Sequence, residues 1–402
     1  MNRSTRYKVN PNVSVIRTSA QDIILTNMGK GREYHIPLDM FTLLSSFNVP
    51  VNVEQAISIY RNSNQQAQAL EEAELLESIE ELEKNDLIVL ANVDVQMANS
   101  VAQSTNRFFN FNGMRMEEVI NVGAHIPDTV AIIGMPFDHN VTNLPGSRLG
   151  PEYLRRHSRS IVPYGFPQVE VKGQHTEGVH LASKVFDCGD ISGHVFDRNG
   201  RQQRQLEEIV RKLTLAKIKP VIVGGDHSIT YSSLQGILSH KKIGLIHIDA
   251  HYDGGGTEQV SFKDIHHGNF MDGFLNERNL EHILQIGQRQ RVDQEHVQAE
   301  KIDVVPSDEL DIGRYLREGL PYYITLDVDV LDPSFMSSTG TPVPLGMHPK
   351  ELMAILTSIR EHDIIGGDVV EFLPSEHKVH EALLVNELLL TLISMMTKVD
   401  LS

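Results

Sequence analysis

Three short segments of this 402-residue chain concentrate carboxylates and imidazoles, and each of them follows an apolar run. They read GGDHS at 224–228, DAHYD at 249–253 and DVDVLDP at 327–333. In an extended chain, residues two positions apart face the same side, so Asp249 shares a face with His251, and Asp327 with Asp329. The two glycines before His227 let the backbone approach its neighbours closely. Four carboxylates and two imidazoles of these segments are candidate ligands at one sheet edge, namely His227, Asp249, His251, Asp253, Asp327 and Asp329.

A cluster of this composition predicts a metal site. Four carboxylates cannot all stay ionised at close range without a cation, because like charges favour protonation. Six such ligands suit two divalent ions that share carboxylates, and oxygen and imidazole donors without a thiolate favour Mn²⁺ over thiolate-bound zinc or copper. A buried structural histidine would explain either segment that contains one, whereas three segments that each follow an apolar run favour the metal site. We therefore predict two Mn²⁺ ions per chain.

The elements that must position these residues follow from the pattern after Asp128, where short apolar runs alternate with helical patterns. Apolar strands separated by helices indicate a parallel sheet covered on both faces. Ligands in such sheets bind beyond the carboxyl ends of the strands. The predicted fold class is therefore α/β, with a doubly wound, mostly parallel sheet. We expect strands near 130–133, 184–186, 221–223, 244–248, 283–286, 323–326 and 369–372, and helices near 151–157, 205–217, 233–240, 349–362 and 380–397.

The first 92 residues follow another pattern, in which short strands precede three helices and a last strand. Strands near 13–17, 23–26, 34–36 and 87–90, with helices near 38–47, 53–60 and 66–85, are typical of a small α+β, winged-helix-like domain. Segment 71–86 has eight acidic residues against one lysine, so we expect either a solvated helix face or a surface for a positively charged partner. Residues 93–127 lack periodicity and are predicted to be a linker, which places the domains at 1–92 and 128–402.

Composition argues against several other functions. The chain has 36 Lys and Arg against 53 Asp and Glu, a net charge of −17, whereas nucleic-acid binding needs a basic face. No apolar run approaches the roughly 18–20 residues of a membrane span, so no membrane partner is expected. The polar N-terminus shows no secretory signal. The single cysteine, Cys188, excludes a disulfide framework and favours the reducing cytoplasm.

The three segments resemble the signature motifs of the ureohydrolases, the family of arginase, agmatinase and guanidinobutyrase. The resemblance covers 128–392 and includes GMPFD at 134–138, PGSRLGP at 145–151, HGN at 267–269, TGTP at 339–342 and DVVE at 368–371. It implies an arginase-type sheet, a binuclear manganese centre held by the six residues above, and a trimeric or hexameric homo-oligomer. His267 matches the proton-shuttle histidine of the family, Glu371 the carboxylate that holds the substrate guanidinium, and Thr341 a substrate-orienting loop.

The chemistry of a guanidinium group agrees with this resemblance. The group is always cationic and a poor electrophile, so its hydrolysis needs a concentrated hydroxide, which two metal ions generate by lowering the pKa of water. A carboxylate such as Glu371 can bind the planar cation through two hydrogen bonds. Asp253 can relay a proton, and His267 can resupply one for the leaving amine. The expected activity is therefore hydrolysis of a guanidinium to urea and an amine, with Asp253, His267 and Glu371 as catalytic residues.

The residues after the second segment depart from the arginases that act on free arginine. They read GGGTE at 254–258, with glycine where those arginases carry polar side chains for the α-amino and α-carboxylate groups. This difference weakens the case for free arginine and makes room for a bulkier substrate. An agmatinase-type substrate stays open, because the stretch at 145–151 resembles that branch more closely.

The first 92 residues are foreign to ordinary ureohydrolases and resemble a PqqD-like recognition domain. Such domains bind the leader of a ribosomally made, modified peptide by strand addition. The two resemblances together imply a peptide arginase, which converts arginine side chains of a precursor peptide to ornithine and whose partner is a precursor with a leader segment. Three alternatives stay open: a winged helix used for oligomer contacts, a small-molecule guanidino hydrolase with an accessory domain, and a non-catalytic peptide-binding protein with a structural metal site.

Overall fold

The computed structural model describes residues 4–10, 12–18, 22–27, 30, 32–47, 49–63, 70–93, 101–102, 106–139, 141–161, 181–191, 200–254, 264–290 and 301–399. The chain forms two compact units. One comprises Met1–Ala102 with Ser192–Gln202, and the other comprises Gln103–Ile191 with Gln203–Ser402. Each unit has its own hydrophobic core.

The smaller unit is an α+β structure built from short strands and three helices. Its described elements are β1 (Arg6–Val9), β2 (Val13–Thr18), β3 (Asp22–Asn27), β4 (Arg32–Pro37), α1 (Leu38–Ser45), β5 (Val51–Asn52), α2 (Val53–Ser63), α3 (Glu72–Lys84), β6 (Ile88–Leu90) and β7 (Val101–Ala102). Two three-stranded antiparallel sheets form, in the orders β5-β1-β6 and β2-β3-β4. The small N-terminal α+β domain predicted from the sequence is therefore confirmed.

Helix α3 has one core face and one solvent face. Leu75, Ile79 and Leu82 recur every three or four positions and are buried in the core of the smaller unit, as an amphipathic helix requires. The helix begins at Glu72, later than expected, while residues 64–69 lie outside the described residues. Its exposed face carries five glutamates, Glu72, Glu74, Glu77, Glu80 and Glu81.

The larger unit alternates strands with helices. Its described elements are β8 (Asn112–Gly113), α4 (Met116–Gly123), β9 (Val130–Met135), α5 (Gly150–Ser158), α6 (Leu181–Lys184), β10 (Val185–Ile191), α7 (Arg201–Leu215), β11 (Lys219–Gly224), α8 (Ile229–Leu238), β12 (Ile243–Ile248), β13 (Leu280–Ile286), β14 (Ile302–Val304), β15 (Tyr322–Asp327), α9 (Pro349–Ser358), β16 (Ile364–Val370) and α10 (Val379–Thr397). This alternation agrees with the pattern expected after Asp128.

Nine described strands of the larger unit lie in one parallel sheet. Their order is β14-β13-β12-β15-β16-β11-β9-β10, and β8 also pairs with β10. Strands β9, β12, β15 and β16 are buried at every position, because the sheet is covered on both faces. The predicted α/β class with a doubly wound, parallel sheet is confirmed. Strand β14 was not predicted, since its three residues are half-buried or exposed and give no apolar run.

Helix α10 differs from the expectation that no segment is long and apolar enough to span a membrane. By length and composition it could cross a membrane, but 67% of its most apolar window is buried within the structure. The helix contacts α5, β9 and β16, and Val385, Leu388 and Leu392 are buried in the core of the larger unit. The sequence therefore contains a helix with the length and mean hydropathy of a membrane span, and most of this helix is buried in the larger unit.

The predicted linker at 93–127 contains core residues. Residues 103–127 belong to the larger unit, where Phe108, Phe109 and Phe111 are buried. The backbone N–H of Phe108 donates to Asp187 at 2.8 Å, and the guanidinium of Arg155 lies 4.6 Å from the Phe108 ring centroid. Three aromatic anchors in a short irregular turn have no strand or helix period, which is why the sequence pattern resembled a connector.

We expect Phe108→Ala to lower the free energy of unfolding by about 3–5 kcal/mol, the range for truncating a fully buried phenylalanine. Urea denaturation followed by circular dichroism measures this change. The matched control is Val122→Ala on the neighbouring helix α4, where the side chain is 44% exposed and the expected change is within about 0.5 kcal/mol. Equal losses in the two variants would contradict the assignment of this segment to the core.

Candidate binuclear metal centre

Four neighbouring strands end at the predicted centre. Strands β12, β15, β16 and β11 lie side by side in the sheet. Asp249 follows β12, Asp327 ends β15 and Glu371 follows β16. The segment that leads to His227 follows β11. A Cβ atom at Gly225 would overlap the carbonyl oxygen of Phe137, so only glycine allows the turn after β11 to pass this close.

His227 lies among three of the predicted carboxylates. Its Nδ1 atom is 2.9 Å from Oδ2 of Asp249, 2.8 Å from Oδ2 of Asp253 and 3.3 Å from Oδ2 of Asp327. All four side chains are buried. The structure therefore brings one imidazole nitrogen and three carboxylate oxygens, from three different strand ends, into one group.

His251 forms a second group beside the first. Its Nδ1 atom lies 3.0 Å from Oδ2 of Asp329 and 3.4 Å from Oδ1 of Asp249. Asp249 thus presents one oxygen to each histidine. The six residues that the sequence predicted as metal ligands are brought together as two groups that share a carboxylate, an arrangement that suits two divalent ions.

The hydrogen bonding of the His227 ring nitrogens indicates whether these side chains could bind a cation. The hydroxyl of Thr325 donates to Asp368 at 2.5 Å and lies 2.8 Å from Nε2 of His227, so Nε2 must donate to it. In the neutral ring Nδ1 then carries a lone pair, and this buried atom has no hydrogen-bond partner among the described residues. Lone pairs that face one another need a positive species between them. An imidazole nitrogen with carboxylate oxygens matches the donors that Mn²⁺ accepts.

The crowding of carboxylates also changes their pKa values. Burial and the neighbouring charge of Asp249 raise the pKa of Asp253 to about 8. Burial and the charges of Asp329 and Asp249 raise the pKa of Asp327 well above its usual value. Burial lowers the pKa of His251, but its hydrogen bonds to Asp249 and Asp329 raise it to about 11. The cluster therefore needs positive charge, which two divalent ions would provide.

A buried hydrogen-bond network holds His227 from behind. The Asp368 carboxylate accepts from Thr325, from the Tyr323 hydroxyl at 2.8 Å and from the Thr230 hydroxyl at 3.0 Å. All these side chains are buried. The network fixes the ring with Nδ1 toward the carboxylates, as outer partners commonly do for a metal-binding histidine.

His247 is a residue of the centre that sequence reasoning missed. It is fully buried on β12, with Nε2 3.1 Å from Oδ2 of Asp249 and 4.0 Å from Oδ2 of Asp253. Together with His227, Asp249 and Asp253 it forms a group that could hold a metal ion. The signal was present in the sequence, because His247 precedes Asp249 by two positions and so shares its face of the strand.

Glu371 is held in a strained backbone conformation next to His227. Its φ is +64°, a left-handed value that costs a non-glycine residue about 1–3 kcal/mol and is common at functional sites. Its Oε1 atom accepts the backbone N–H of His227 at 2.8 Å. A Cβ atom at Gly340 would lie 3.7 Å from Oε2, so Gly340 packs beside the second oxygen.

His267 lies on the other side of Glu371. Its Nδ1 atom is 3.3 Å from Oε1 of Glu371, and its Nε2 atom faces Thr142. Burial lowers the pKa of His267, but the Glu371 carboxylate outweighs this effect and the pKa is raised. The predicted shuttle histidine and the predicted guanidinium carboxylate are therefore in contact.

Thr341 lies at the edge of the second group of ligands. Its hydroxyl is 3.4 Å from Oδ2 of Asp329. The following segment is anchored by Arg289, whose guanidinium donates to the carbonyl oxygens of Val343 and Pro344. The glycine-rich stretch predicted to open the site, GGGTE at 254–258, lies outside the described residues after Gly254.

Metal removal is expected to inactivate and destabilise the protein. Without cations the buried carboxylates lose their compensating charge. A ligand present at 100 times its Kd, here Mn²⁺, stabilises the folded protein by about 2.7 kcal/mol. For a domain of this size, its removal should lower the Tm by roughly 5–10 °C. Thermal denaturation and urea release, each measured before EDTA, after it and after added Mn²⁺, test this expectation. Unchanged Tm and activity in EDTA would contradict a metal centre.

Comparison with known proteins places this site in a family. The arginase family model matches residues 128–394, about two thirds of the chain. Mitochondrial agmatinase from Gallus gallus is 29% identical over 262 residues, which cover 61% of this chain and 74% of that protein. Mitochondrial guanidino acid hydrolase from Homo sapiens is 29% identical over 286 residues, which cover 67% of this chain and 78% of the relative.

The fold agrees with these sequence matches. The solved structure of proclavaminate amidino hydrolase from Streptomyces clavuligerus superposes with a TM-score of 0.61 at 23% identity, covering 74% of this chain and 99% of that one. This likeness confirms the arginase-type sheet. The family match, the sheet and the clustered carboxylates and imidazoles lead to one conclusion: the chain belongs to the arginase family of guanidino hydrolases.

Proposed function

We propose that this chain hydrolyses the guanidinium of arginine side chains in a ribosomally made precursor peptide, releasing urea and leaving ornithine, with two Mn²⁺ ions at its centre. The family accounts for guanidinium hydrolysis, and the peptide substrate is the proposed part. The observation that carries it is the folded α+β unit at Met1–Ala102, which precedes the region matched by the family. Hydrolysis of a small guanidine needs no such unit.

Glu371 would bind the guanidinium. Its Oε1 atom is held by the backbone of His227, while Oε2 lies beside Gly340. A planar guanidinium can donate two parallel hydrogen bonds to one carboxylate. Because the carboxylate is 2% exposed and pinned by its backbone, the reacting carbon would be held in one orientation, which lowers the entropic cost of the reaction.

Asp253 and His267 would transfer the protons in this reaction. Two bound Mn²⁺ ions would supply the nucleophile, since divalent ions bring the pKa of water near neutrality. Asp253, whose Oδ2 atom lies 2.8 Å from Nδ1 of His227 at the centre, can accept the proton that the attacking water gives up. His267 places Nδ1 beside the carboxylate that binds the guanidinium, so it can pass a proton to the leaving amine.

The edge strands of the smaller unit support peptide binding. Strands β2 and β4 are the two edges of one sheet, and β5 and β6 are the edges of the other. An edge strand presents backbone N–H and C=O groups that an extended peptide can pair with. The exposed glutamates of α3 lie in the same unit and would favour a leader with basic residues.

A small-molecule guanidine is the second candidate substrate. The relatives include an agmatinase and a guanidino acid hydrolase, whose names point to small substrates for those proteins. In this case the smaller unit would be an accessory domain. The two candidates differ in what the unit must do, since only a peptide substrate requires it for binding.

Urea release across a set of substrates tests the proposal. The purified full-length protein with Mn²⁺ is assayed with free arginine, agmatine, an arginine-bearing peptide without a leader and the same peptide joined to its encoded leader. We expect the highest kcat/KM for the leader-bearing peptide and inhibition of its turnover by the leader alone. Turnover of agmatine with no turnover of peptide would reject the peptide substrate and favour the second candidate.

Charge reversal on α3 gives a matched test of the smaller unit. We expect the triple change Glu77→Lys, Glu80→Lys and Glu81→Lys to raise KM for the leader-bearing peptide while kcat and the Tm stay unchanged. The control is Asp308→Lys in the larger unit, where the exposed side chain should leave both constants unchanged. Equal KM values in the two variants would show that the acidic face of α3 does not contribute to peptide binding.

A further inference from the structure

Thr142 occupies the outer side of His267. Its hydroxyl oxygen lies 2.6 Å from Nε2 of the ring, and its backbone N–H donates to the same nitrogen at 3.0 Å. Thr142 itself is exposed, whereas His267 is 8% exposed. The threonine hydroxyl therefore stands between a buried ring nitrogen and solvent.

The two nitrogens of His267 face different surroundings. Nδ1 faces Oε1 of Glu371, on the side where the guanidinium would bind. Nε2 faces the Thr142 backbone N–H, which can only donate, so Nε2 is the accepting nitrogen of the neutral ring and Nδ1 carries the hydrogen. Loss of the Nδ1 proton to a leaving amine then requires that a proton enter at Nε2.

We propose that Thr142 is a relay residue, whose hydroxyl passes protons between solvent and Nε2 of His267 during turnover. In the inward step the Oγ1–H bond of Thr142 breaks as an Nε2–H bond forms, and Oγ1 takes a proton from a water molecule or a buffer acid. Reversal of the same two transfers returns a proton to solvent. This inference rests on the proposed role of His267 in guanidinium hydrolysis, but it holds for any guanidine that the enzyme accepts.

The loop around Thr142 is built to keep the hydroxyl in place. The neighbouring Asn143 donates to the carbonyl oxygen of Gly340 at 2.7 Å, and the N–H of Gly146 donates to Asp138 at 2.8 Å. Asp138 is buried and also pairs with Arg148. The bond from Asn143 ties the residue after Thr142 to Gly340, which lies beside Glu371, and so supports the 2.6 Å contact.

The charged groups around His267 favour a relay at this nitrogen. Glu371, Asp253 and Asp226 raise the pKa of the ring against the effect of burial, and His266 lies next to it with ring centroids 6.3 Å apart. These carboxylates stabilise the doubly protonated ring. An N–H group formed at Nε2 needs a hydrogen-bond acceptor, and Oγ1 of Thr142 can accept that hydrogen bond.

Buffer dependence of kcat tests the relay. We expect Thr142→Val to lower kcat by about tenfold in dilute buffer, less than the roughly 10²–10⁴-fold effect of a general acid or base, with KM unchanged. Thr142→Ala should lose a similar factor, and imidazole buffer should restore its kcat, since a small acid can reach Nε2 in place of the hydroxyl. Thr142→Ser keeps the hydroxyl and should match the wild type.

Two results would overturn the relay. One is wild-type kcat for Thr142→Val in dilute buffer. The other is a reduced kcat for Thr142→Ala that no buffer concentration restores, which would assign Thr142 a structural role only. The substrate is whichever guanidine the wild type hydrolyses, so rejection of the peptide substrate leaves this test intact. A wild type that releases urea from no guanidine would overturn the proposed function and the relay with it.

Discussion

Replacement of Asp249 by asparagine is expected to lower kcat/KM for guanidine hydrolysis by about 10³-fold or more, a loss of about 4 kcal/mol of transition-state stabilisation. Asp249 is the carboxylate that presents one oxygen to His227 and the other to His251. Asparagine has nearly the same shape but no charge, and only one of its two terminal atoms can bind a cation. The change therefore weakens both halves of the centre at once.

Metal binding in the Asp249→Asn variant separates this explanation from misfolding. We expect the variant to fold, because the amide can keep its contacts with His247 and with the backbone N–H of His251. Its manganese content after dialysis should fall below that of the wild type, and Mn²⁺ should no longer raise its Tm. Asp308→Asn, an exposed change in the same unit, is the control. Normal metal content and normal turnover in Asp249→Asn would show that the assigned ligands are wrong.

Much of this centre could be predicted because parallel strands deliver their carboxyl ends to one edge of a sheet. Apolar runs locate the strands, and the polar residues after them, such as Asp249 and Asp327, must then meet. The prediction did not need the strand order. The structure adds that β12, β15, β16 and β11 are neighbours, which sequence periodicity alone does not specify.

Hydrophobic periodicity did not predict features whose residues have no regular spacing. Phe108 and Phe109 are core residues in an irregular turn, and His247 lies inside an apolar strand where one polar residue leaves the pattern intact. Thr142 and Thr325 contact histidines that are 125 and 98 positions away in the sequence, respectively. The left-handed backbone of Glu371 is likewise a result of tertiary contacts, since a glutamate gives no local signal for that conformation.

Replacement of Glu371 by glutamine separates substrate binding from metal binding. We expect kcat/KM to fall by about 10³-fold, or about 4 kcal/mol, within the range for leaving a buried charge without its partner. The amide oxygen can take the place of Oε1 and keep the hydrogen bond from His227. Its NH₂ group would then occupy the position of Oε2 and point N–H bonds at a guanidinium that has only donors.

The readouts for Glu371→Gln differ from those for Asp249→Asn. Because Glu371 contacts the backbone of His227 and lies outside the groups suited to a metal ion, manganese content and the Mn²⁺-dependent rise in Tm should stay at wild-type values. A variant that loses activity and keeps its metal would assign Glu371 to the guanidinium. Loss of manganese together with activity would instead mean that Glu371 supports the metal centre, and the carboxylate for the substrate would have to be sought elsewhere.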